Sequence, residues 1–561
     1  MRYLLLTLGH NSSAVLVGEE GQVLCGYEEE RLTKVKADSS FPYNSIQEIQ
    51  KYFDIPNDVT IYISHWFIDG SLPTTPNKWY DQKYLYKNFK DCQVISLSAD
   101  FTHHDAHAYS ALAFCGKKVS KSKTLVVVAD GFGNYGETMS IYWRDDNPTT
   151  PDIKLHHRSF GFSSSLGLLF QYATSFLGLK ENQDEYKLLG YEAHITDIVT
   201  IEQINTLNDT AVRWTKKQFK DIGNYDVKDR YDPLCSIDAL PALKLNYREH
   251  FKTVLDSVNA KGIAFDSWDS RVIIAYYVQK RIELAMRAIL TAYAPFNVIA
   301  VGGLFMNVKL NNSIAKLLPP KGKLSIMPLS GDQGAAIGIY HSIHKNFKFD
   351  NLYYGKRDLS KIVSEPFYKA DNNLIITNSE LHARSLVLDK LKKNEIVNVV
   401  RGAMEFGSRA LCHTTTLALP TLENIQYINK LNGRSTIMPM APVIRDKDVE
   451  YFFKGGNKIV ESLKYMITTL DFNKVTDDII GAAHKMPLED VHTGRPQTIS
   501  RDDEFMWYIL TNLNPRMLIN TSFNIHGKPI VFDGKDVLIH HNGQMEAATD
   551  RKPYTIVIVG E

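Results

Sequence analysis

The sequence has few cysteines and no long apolar segment. Its five cysteines are far apart and none forms a CxxC motif, so we expect free thiols in a reducing compartment, without a disulfide framework or a cysteine zinc site. The apolar start of the chain is interrupted at Gly9, which argues against a signal peptide. No apolar run approaches the roughly 20 residues that span a membrane. We therefore expect a cytoplasmic protein with no membrane partner.

The sequence also has no excess of positive or negative charge. Lys and Arg total 64 and Asp and Glu total 63, so the formal net charge is +1 and exerts no bulk attraction on nucleic acid or membrane. Hydrophobic residues make up 44% of the chain, as in ordinary soluble proteins. At 561 residues, the chain is long enough for two or more domains.

A pair of histidines, His103 and His107, is the most distinctive feature present. On a helix, this spacing places two imidazoles on one face about one turn apart, where both can bind one metal ion. The alternative is a pair of packed or capping histidines. Two imidazoles seldom complete a site, because a transition metal such as iron takes further carboxylate or water ligands. Such carboxylates must then come from other parts of the chain.

Strand–turn–strand patterns occur twice in the N-terminal part of the chain. Apolar stretches at 3–8, 14–17 and 23–27 are joined by a small polar turn and a hairpin, and the Ser12 hydroxyl in that turn can face a phosphate. A second unit ends its first strand in Asp130-Gly131 and continues at 137–143. A carboxylate at a strand end, followed by glycine, suits a metal or phosphate site.

A third unit and a glycine-flanked turn complete the pattern. A buried strand runs into Gly302-Gly303 and a helix, with Asn307 just beyond, and Asp332 precedes a helix of small residues. Close approach of glycine backbone suits a nucleotide. Together the units predict a duplicated α/β fold of the actin, sugar-kinase and heat-shock ATPase type, with the nucleotide in the cleft between the halves.

Other segments carry weaker signals. Glu185 and Lys187 can contact a nucleotide or substrate, although a solvated charged turn is the commoner explanation. Apolar residues at helical spacing predict a structural helix over 271–291, and residues 195–265 are expected to be helical and to cover the cleft. The character of the sequence changes near residue 360, where we place the boundary between domains 1–360 and 361–561.

The second predicted domain contains arginines in loops rich in glycine and hydroxyl residues. Guanidinium groups form bidentate, charge-assisted bonds to phosphate, although a single arginine is more often a surface charge. The candidates for binding an anionic donor are Arg409, Arg434, Arg495, Ser522 and Asn524.

Taken together, these motifs resemble the O-carbamoyltransferase family that includes nodulation-factor, cephamycin and tobramycin carbamoyltransferases. The matching segments run in family order over essentially the whole chain and include GHNSSAV, HHDAHAYSA, DGFGNYGE, GGLFMN, SGDQGAAIG, RGAMEFGSRAL and NTSFNIHGKPIV. The resemblance implies that the first domain is similar to the actin-like tRNA threonylcarbamoyl-transfer protein. It implies a YrdC-like α+β second domain that forms a carbamoyl adenylate.

The resemblance also implies an activity and a set of site residues. Carbamoyl phosphate and ATP would give carbamoyl-AMP, whose carbamoyl group passes to a hydroxyl of a small-molecule or nucleotide acceptor. An Fe2+ ion, or another divalent metal, would be held by His103, His107 and Asp332, with Asp130. His10 would accept the proton of the hydroxyl and Lys36 would meet developing negative charge. The nucleotide would be lined by Gly302, Gly303 and Asn307, and the donor site by Arg409, Arg434, Arg495, Ser522 and Asn524.

Three family arginines are replaced in this chain, by Thr414, Met438 and His526, and Lys528 stands where the family has an acidic residue. Each charge-assisted bond contributes about 1.5–3 kcal/mol, so the second domain is expected to bind its donor differently or to form the adenylate weakly. A kinase of the same fold and a non-catalytic nucleotide-binding regulator are the alternatives. A homodimer is compatible with the sequence.

Overall fold

The N-terminal part of the protein is built on two five-stranded mixed sheets. The computed structural model describes residues 2–145, 152–218, 240–434, 440–459, 461–486, 488 and 491–559. The strands of the first sheet are β1 (Tyr3–Thr7), β2 (Ser13–Val17), β3 (Val23–Glu28), β4 (Thr60–Ser64) and β5 (Gln93–Ser96). Those of the second sheet are β6 (Thr124–Ala129), β7 (Glu137–Arg144), β8 (Ile153–Phe160), β9 (Asn297–Val301) and β10 (Leu324–Ile326).

The two sheets have the same strand order and the same strand directions. The first has the order β3-β2-β1-β4-β5 and the second β8-β7-β6-β9-β10. In each, three strands form an antiparallel meander, and two further strands add in parallel beside the first. This repetition confirms the predicted duplicated α/β fold of the actin-like class.

The helices of this part fill the spaces around the two sheets. They are α1 (Glu29–Thr33), α2 (Tyr43–Tyr52), α3 (Gln82–Asn88), α4 (His103–Cys115), α5 (Leu166–Phe176), α6 (Glu185–Tyr191), α7 (Ile195–Ile198), α8 (Ile201–Gln218), α9 (Leu240–Ser257), α10 (Trp268–Tyr293), α11 (Val308–Leu317) and α12 (Ala335–Ile343). The helix predicted over 271–291 is confirmed as α10. The region predicted to be helical over 195–265 contains α7, α8 and α9, and its residues 219–239 lie outside the described part of the chain.

Helices α4 and α12 occupy equivalent places, because each follows the fifth strand of its sheet. They cross at Gly338, where a Cβ atom would lie only 1.8 Å from the carbonyl oxygen of Ala106. Any side chain at this position would therefore separate the two helices. The close crossing brings the N-terminal end of α4 near the turn that precedes α12, and the candidate site lies there.

The C-terminal part contains a seven-stranded mixed sheet and a small four-stranded sheet. After β11 (Tyr353–Gly355), its strands are β12 (Leu374–Thr377), β13 (Val397–Val400), β14 (Met404–Glu405), β15 (Thr414–Ala418), β16 (Ala441–Arg445), β17 (Phe453–Lys454), β18 (Leu470–Phe472), β19 (His484–Lys485), β20 (His492–Gly494), β21 (Gln497–Ile499), β22 (Leu518–Ser522) and β23 (Tyr554–Ile558). The sheet orders are β12-β23-β13-β15-β22-β16-β21 and β17-β18-β20-β19. Its helices are α13 (Glu380–Lys392), α14 (Leu422–Leu431), α15 (Val449–Phe452), α16 (Glu504–Thr511) and α17 (Gly534–Ala547).

The two parts pack closely against each other. Strand β11, at the end of the N-terminal part, pairs with β14 of the C-terminal part. Phe406 and Met466 of the C-terminal part belong to the same buried cluster as Leu329 of the N-terminal part. The amide of Gly407 donates to a carboxylate oxygen of Glu28 over 3.1 Å. The boundary near residue 360 and the YrdC-like class of the second domain stay predictions. None of the described helices combines the length and apolar character needed to cross a membrane.

Candidate functional site

Four side chains from three distant segments meet at the N-terminal end of α4. His103 and His107 come from α4, Asp130 from the end of β6, and Asp332 from the turn before α12. Their candidate ligand atoms all lie within 4.8 Å of one another. The two imidazole Nε2 atoms are 3.1 Å apart, and each lies 3.4–3.6 Å from one oxygen of each carboxylate. The fold therefore brings together the histidine pair and the two carboxylates that the sequence left far apart.

The surroundings of α4 hold His103 in one orientation. Its Nδ1 lies 3.1 Å from the carbonyl oxygen of His65, so this nitrogen donates and Nε2 faces the two carboxylates. Thr102 and Asp105 form a capping box at the start of the helix. Arg158 donates to Asp105 over 2.8 Å and ties this cap to strand β8. The imidazole pair is thus positioned by bonds from outside the cluster.

The distances in the cluster fit a divalent metal ion. Four ligand atoms in a tetrahedral arrangement, each roughly 2.0–2.2 Å from the metal, lie roughly 3.3–3.6 Å from one another. Five of the six separations lie between 3.1 and 3.6 Å, close to this range, and all six are within 4.8 Å. Imidazole and carboxylate donors together suit Fe2+ and neighbouring divalent ions. His103, His107, Asp130 and Asp332 can therefore hold such an ion, with their roles as ligands remaining a prediction.

The electrostatics of the cluster favour positive charge. Burial by itself would lower the pKa of His103, but the neighbouring Asp332 and Asp130 outweigh it and raise this pKa to about 10. Burial likewise opposes ionisation of Asp332, yet His103 and His107 lower its pKa to about 2. Two ionised, partly buried carboxylates beside two imidazoles form an environment that stabilises a cation.

Asp130 and Asp332 open onto a cleft of about 920 Å³ between the two parts of the chain. The same cleft is lined by Arg409, Arg434 and Arg495, from three separate loops of the C-terminal part. Arg434 donates to the hydroxyl of Ser522 over 2.8 Å and to the side-chain oxygen of Asn524 over 3.2 Å. One continuous cleft therefore joins the carboxylate–imidazole cluster to a group of arginines.

These three arginines carry uncompensated charge. Burial lowers the pKa of all three, repulsion from Arg495 adds to this for Arg409, and repulsion from Arg434 adds to it for Arg495. Among the ion pairs between described residues, none joins a carboxylate to any of the three arginines. The three side chains are partly buried, and partly buried cations without a counter-ion are costly, so their convergence indicates an anion site.

Comparison with known proteins decides the family. The carbamoyltransferase N-terminus family matches residues 67–340, and the carbamoyltransferase C-terminus family matches residues 388–548. The chain belongs to the carbamoyltransferase family. An uncharacterized protein of Methanocaldococcus jannaschii, MJ1051, is 27% identical over 552 residues, covering 94% of each chain. The nodulation protein NolNO of Sinorhizobium fredii is 23% identical over 568 residues, covering 94% of this chain and 75% of its own.

Among solved structures, the carbamoyltransferase is similar to the activator of the 2-hydroxyisocaproyl-CoA dehydratase from Clostridium difficile with bound ADPNP. The likeness has a TM-score of 0.31 and 10% identity, and it covers 60% of this chain and 92% of the activator.

Most of the residues predicted for the carbamoyltransferase site line the cleft. The predicted residues on its surface are His10, Lys36, Gly131, Glu185, Lys187, Gly303 and Asn307, with Arg409, Arg434, Arg495, Ser522 and Asn524. Burial lowers the pKa of Lys36, and repulsion from Arg434 and Lys187 contributes to the shift. Lys187 is paired with Asp184 over 2.9 Å. The two parts of the chain therefore contribute cations to the same space.

Ser12 and Gly302 are not among the residues that line the cleft. Ser12 is fully buried, and its hydroxyl donates to the carbonyl of Asp38 over 3.3 Å. Gly302 has a φ of +104°, and a Cβ there would lie 2.3 Å from the carbonyl oxygen of Ala129. Asn307 lines the cleft but also caps α11, since its side chain accepts from the amide of Leu310 over 2.9 Å. Their nucleotide contacts stay predictions, and each has a structural task.

The replaced arginines fall in different environments. Thr414 accepts a hydrogen bond from Arg357 over 2.9 Å and is not among the cleft residues. Met438 lies outside the described part of the chain. His526 and Lys528 both line the cleft, so this segment keeps a cationic side chain there in the absence of the family arginine.

Sequence reasoning missed several residues of the cleft. Gln333 is buried beside Asp332, and Asn429 and Tyr186 lie near the arginines. Gln333 follows a predicted ligand directly, so its motif position could have identified it. Asn429 lies within α14, where its pattern is that of an ordinary helical residue, and the sequence holds no signal for it.

Proposed function

We propose that the protein is an ATP-dependent O-carbamoyltransferase that works in two stages within one cleft. Carbamoyl phosphate and water give carbamate and phosphate. An oxygen of carbamate then attacks the α-phosphorus of ATP and displaces pyrophosphate, which leaves carbamoyl-AMP. In the second stage a hydroxyl of an acceptor attacks the carbamoyl carbon, the bond from this carbon to the AMP oxygen breaks, and AMP leaves.

The observation that carries the proposal is that two chemically opposite groups of side chains share one cleft. The arginines match the phosphate groups of ATP and carbamoyl phosphate, because guanidinium pairs well with phosphate oxygens. The carboxylate–imidazole cluster matches a divalent cation. Membership of the carbamoyltransferase family supports a carbamoyl group as the group that is transferred.

The arginines and the side chains around them bind and orient the donor. Arg434 is held by Ser522 and Asn524, so its guanidinium enters the site already ordered. Pre-ordered donors lose little conformational entropy on binding. Lys36 and Lys187 reach the same cleft from the N-terminal part, which adds positive charge where pyrophosphate leaves.

In the same cleft, we assign His10 to accept the proton of the acceptor hydroxyl. It lies in the turn after β1 and lines the cleft together with Asp130 and Asp332. Histidine is the side chain whose ordinary pKa best suits proton transfer near neutral pH. A divalent ion bound by the cluster would supply a Lewis acid that polarises a carbonyl or phosphoryl oxygen.

The test uses the full chain with carbamoyl phosphate, ATP, Fe2+ and a panel of hydroxyl acceptors, analysed by mass spectrometry. We expect AMP, pyrophosphate and phosphate in equal amounts, and an acceptor heavier by one carbamoyl group. Release of ADP with a phosphorylated acceptor would instead identify a kinase. Tight ATP binding without any turnover would identify a regulator, and either result would overturn the proposal.

A further inference from the structure

Three aromatic side chains, Trp66, Trp79 and Phe132, line the same cleft as His10. The ring centroids of Trp66 and Trp79 are 5.8 Å apart, with the planes at 82°. Those of Trp66 and Phe132 are also 5.8 Å apart, with the planes at 86°. All three side chains are only partly buried. We call these three residues the aromatic wall.

Of the ligands of the two carbamoyl-transfer stages, carbamoyl phosphate, carbamate and a metal ion present no flat apolar face to an indole. The adenine base of ATP does present one, so the KM values for ATP and for the acceptor, compared below, decide between these two ligands of the wall. Large aromatic rings left partly open in a cleft are typical of a surface that binds a ligand with an apolar face. Phe132 is braced from behind by Phe162, whose ring centroid is 5.0 Å away. The wall is thus supported while its cleft side stays open.

The aromatic wall is next to the two loops that we assign to the transfer step, the loop that contains His10 and the loop that contains Asp130. A Cβ on Gly9 would lie 2.0 Å from Nε1 of Trp66, so this indole packs on the backbone next to His10. Phe132 follows Asp130 and Gly131 directly in the chain. A molecule resting on the wall would therefore lie beside both the proposed proton acceptor and the carboxylate–imidazole cluster.

The positive charge of Lys78 beside the wall limits which molecules can bind there. The ammonium of Lys78 lies over the Trp79 ring, 4.6 Å from its centroid, and also lines the cleft. A ring face already shared with a cation offers little to a second cation. An uncharged or anionic ligand does not meet this repulsion, and the lysine can contact an anionic group.

We propose that the aromatic wall is the acceptor subsite, and that it takes an uncharged or anionic hydroxyl-bearing ring that stacks on Trp79 or Trp66. The ring can be a pyranose or a nucleoside, since both present a face to an indole. The hydroxyl of the stacked ring then points towards His10. This assignment rests on the proposed function, because an acceptor exists only if the protein transfers a carbamoyl group.

Binding to the full chain tests the subsite without turnover. The probes are methyl β-D-glucopyranoside, 5-hydroxymethyl-2′-deoxyuridine and the cationic methyl β-D-glucosaminide, followed by saturation-transfer NMR and titration calorimetry. We expect one of the uncharged rings to bind, Trp79→Ala to weaken its binding about tenfold, and Trp79→Phe to keep most of it. Trp214→Ala, which changes a partly exposed tryptophan of α8 outside the cleft, is expected to bind as the unchanged protein does.

Three outcomes would overturn the subsite: neither uncharged ring binds, Trp79→Ala binds them as tightly as the unchanged protein, or the cationic probe binds more tightly than both. Trp79 is the residue to change first, because Trp66 packs on Gly9 and its loss would also move His10. Thermal unfolding and ATP binding of each variant check that the fold is kept.

A turnover measurement separates the two proposals. If a ring binds to the wall but no carbamoylated product forms, the proposed function fails while the ring site stands. If product forms, Trp79→Ala is expected to raise KM for the acceptor about tenfold and to leave KM for ATP and carbamoyl phosphate unchanged. A purely structural role of Trp79 would instead change all three values together, and that result would overturn the assignment.

Discussion

The Nε2 atoms of His103 and His107 lie 3.1 Å apart, one turn from each other on α4. Without a metal ion, two ring nitrogens at this distance share a single hydrogen, whereas a metal ion between them and the carboxylates would satisfy both nitrogens at once. The orientation of His103 comes from the backbone carbonyl of His65, which is outside the cluster. Contacts within the protein therefore set the orientation of this imidazole.

The same substitution at three neighbouring histidines tests the metal site. We expect His103→Asn and His107→Asn each to lower the affinity for Fe2+ at least 10- to 100-fold, because asparagine cannot reach the position of Nε2. His104→Asn should keep the metal, since the His104 ring is bonded to Ser140 over 2.9 Å and is not part of the cluster. Metal content after dialysis is the measurement. Full metal content in His103→Asn would contradict the assignment.

His10→Ala is expected to separate the two stages. Loss of a general base costs about 10²- to 10⁴-fold in rate, so carbamoyl transfer to the acceptor should fall by this amount. Release of pyrophosphate from ATP and carbamoyl phosphate should persist, because we propose that this chemistry takes place at the arginines. His382→Ala, at an exposed position on α13, is the control. Equal loss of both activities in His10→Ala would show that His10 has another role.

Replacing an arginine of the cleft should stabilise the free protein and weaken ligand binding. Arg495 is partly buried, repelled by Arg434 and paired with no carboxylate among the described residues. We expect Arg495→Met to raise Tm by about 1–3 °C without ligand. Binding of ATP or pyrophosphate should weaken by about 1.5–3 kcal/mol, which is roughly 10- to 100-fold.

The control for Arg495→Met is Arg516→Met, since Arg516 is partly exposed and outside the cleft. Differential scanning calorimetry with and without pyrophosphate measures both effects. Pyrophosphate should raise Tm of the unchanged protein more than that of Arg495→Met, because only the former binds it tightly. A lower Tm of the ligand-free Arg495→Met variant would argue that the arginine is structural.

Glu192 should make stability depend on pH. Burial raises the pKa of this carboxyl group to about 7, against the opposing attraction of Lys309. A carboxyl whose pKa is higher in the folded state stabilises the protein fully below its unfolded value of about 4.5. This contribution is lost as the pH rises through about 7. We expect the lost free energy to reach up to about 3 kcal/mol.

Thermal unfolding at pH 5 and pH 8 measures this dependence. Glu192→Gln removes the titrating group, so the difference in Tm between the two pH values should become smaller. Asp209→Asn changes an exposed carboxylate on α8 and should leave the difference as it is, since an exposed group is well solvated in both states. An unchanged pH dependence in Glu192→Gln would show that other groups are responsible.

Much of the fold could be predicted because its signals are local. The strands of both repeats and helix α10 appear as apolar residues at the spacing of their own secondary structure, as in Ala275, Val278 and Ile282. The histidine pair is likewise a local pattern. By contrast, the burial of Ser12 depends on contacts with Asp38, a residue far along the chain, and no pattern around Ser12 indicates it.

The amino-acid sequence by itself determined the repeated strand–turn–strand units, the spacing of His103 and His107, and membership of the carbamoyltransferase family, because these depend on neighbouring residues and on the order of motifs. Only the tertiary structure decided that Asp130 and Asp332 meet this histidine pair. It also decided that Arg434 faces the same cleft and that Trp66, Trp79 and Phe132 form one wall. The reason is that these positions follow from how helices cross and loops pack over long sequence separations, and the close crossing at Gly338 sets the relation between α4 and α12.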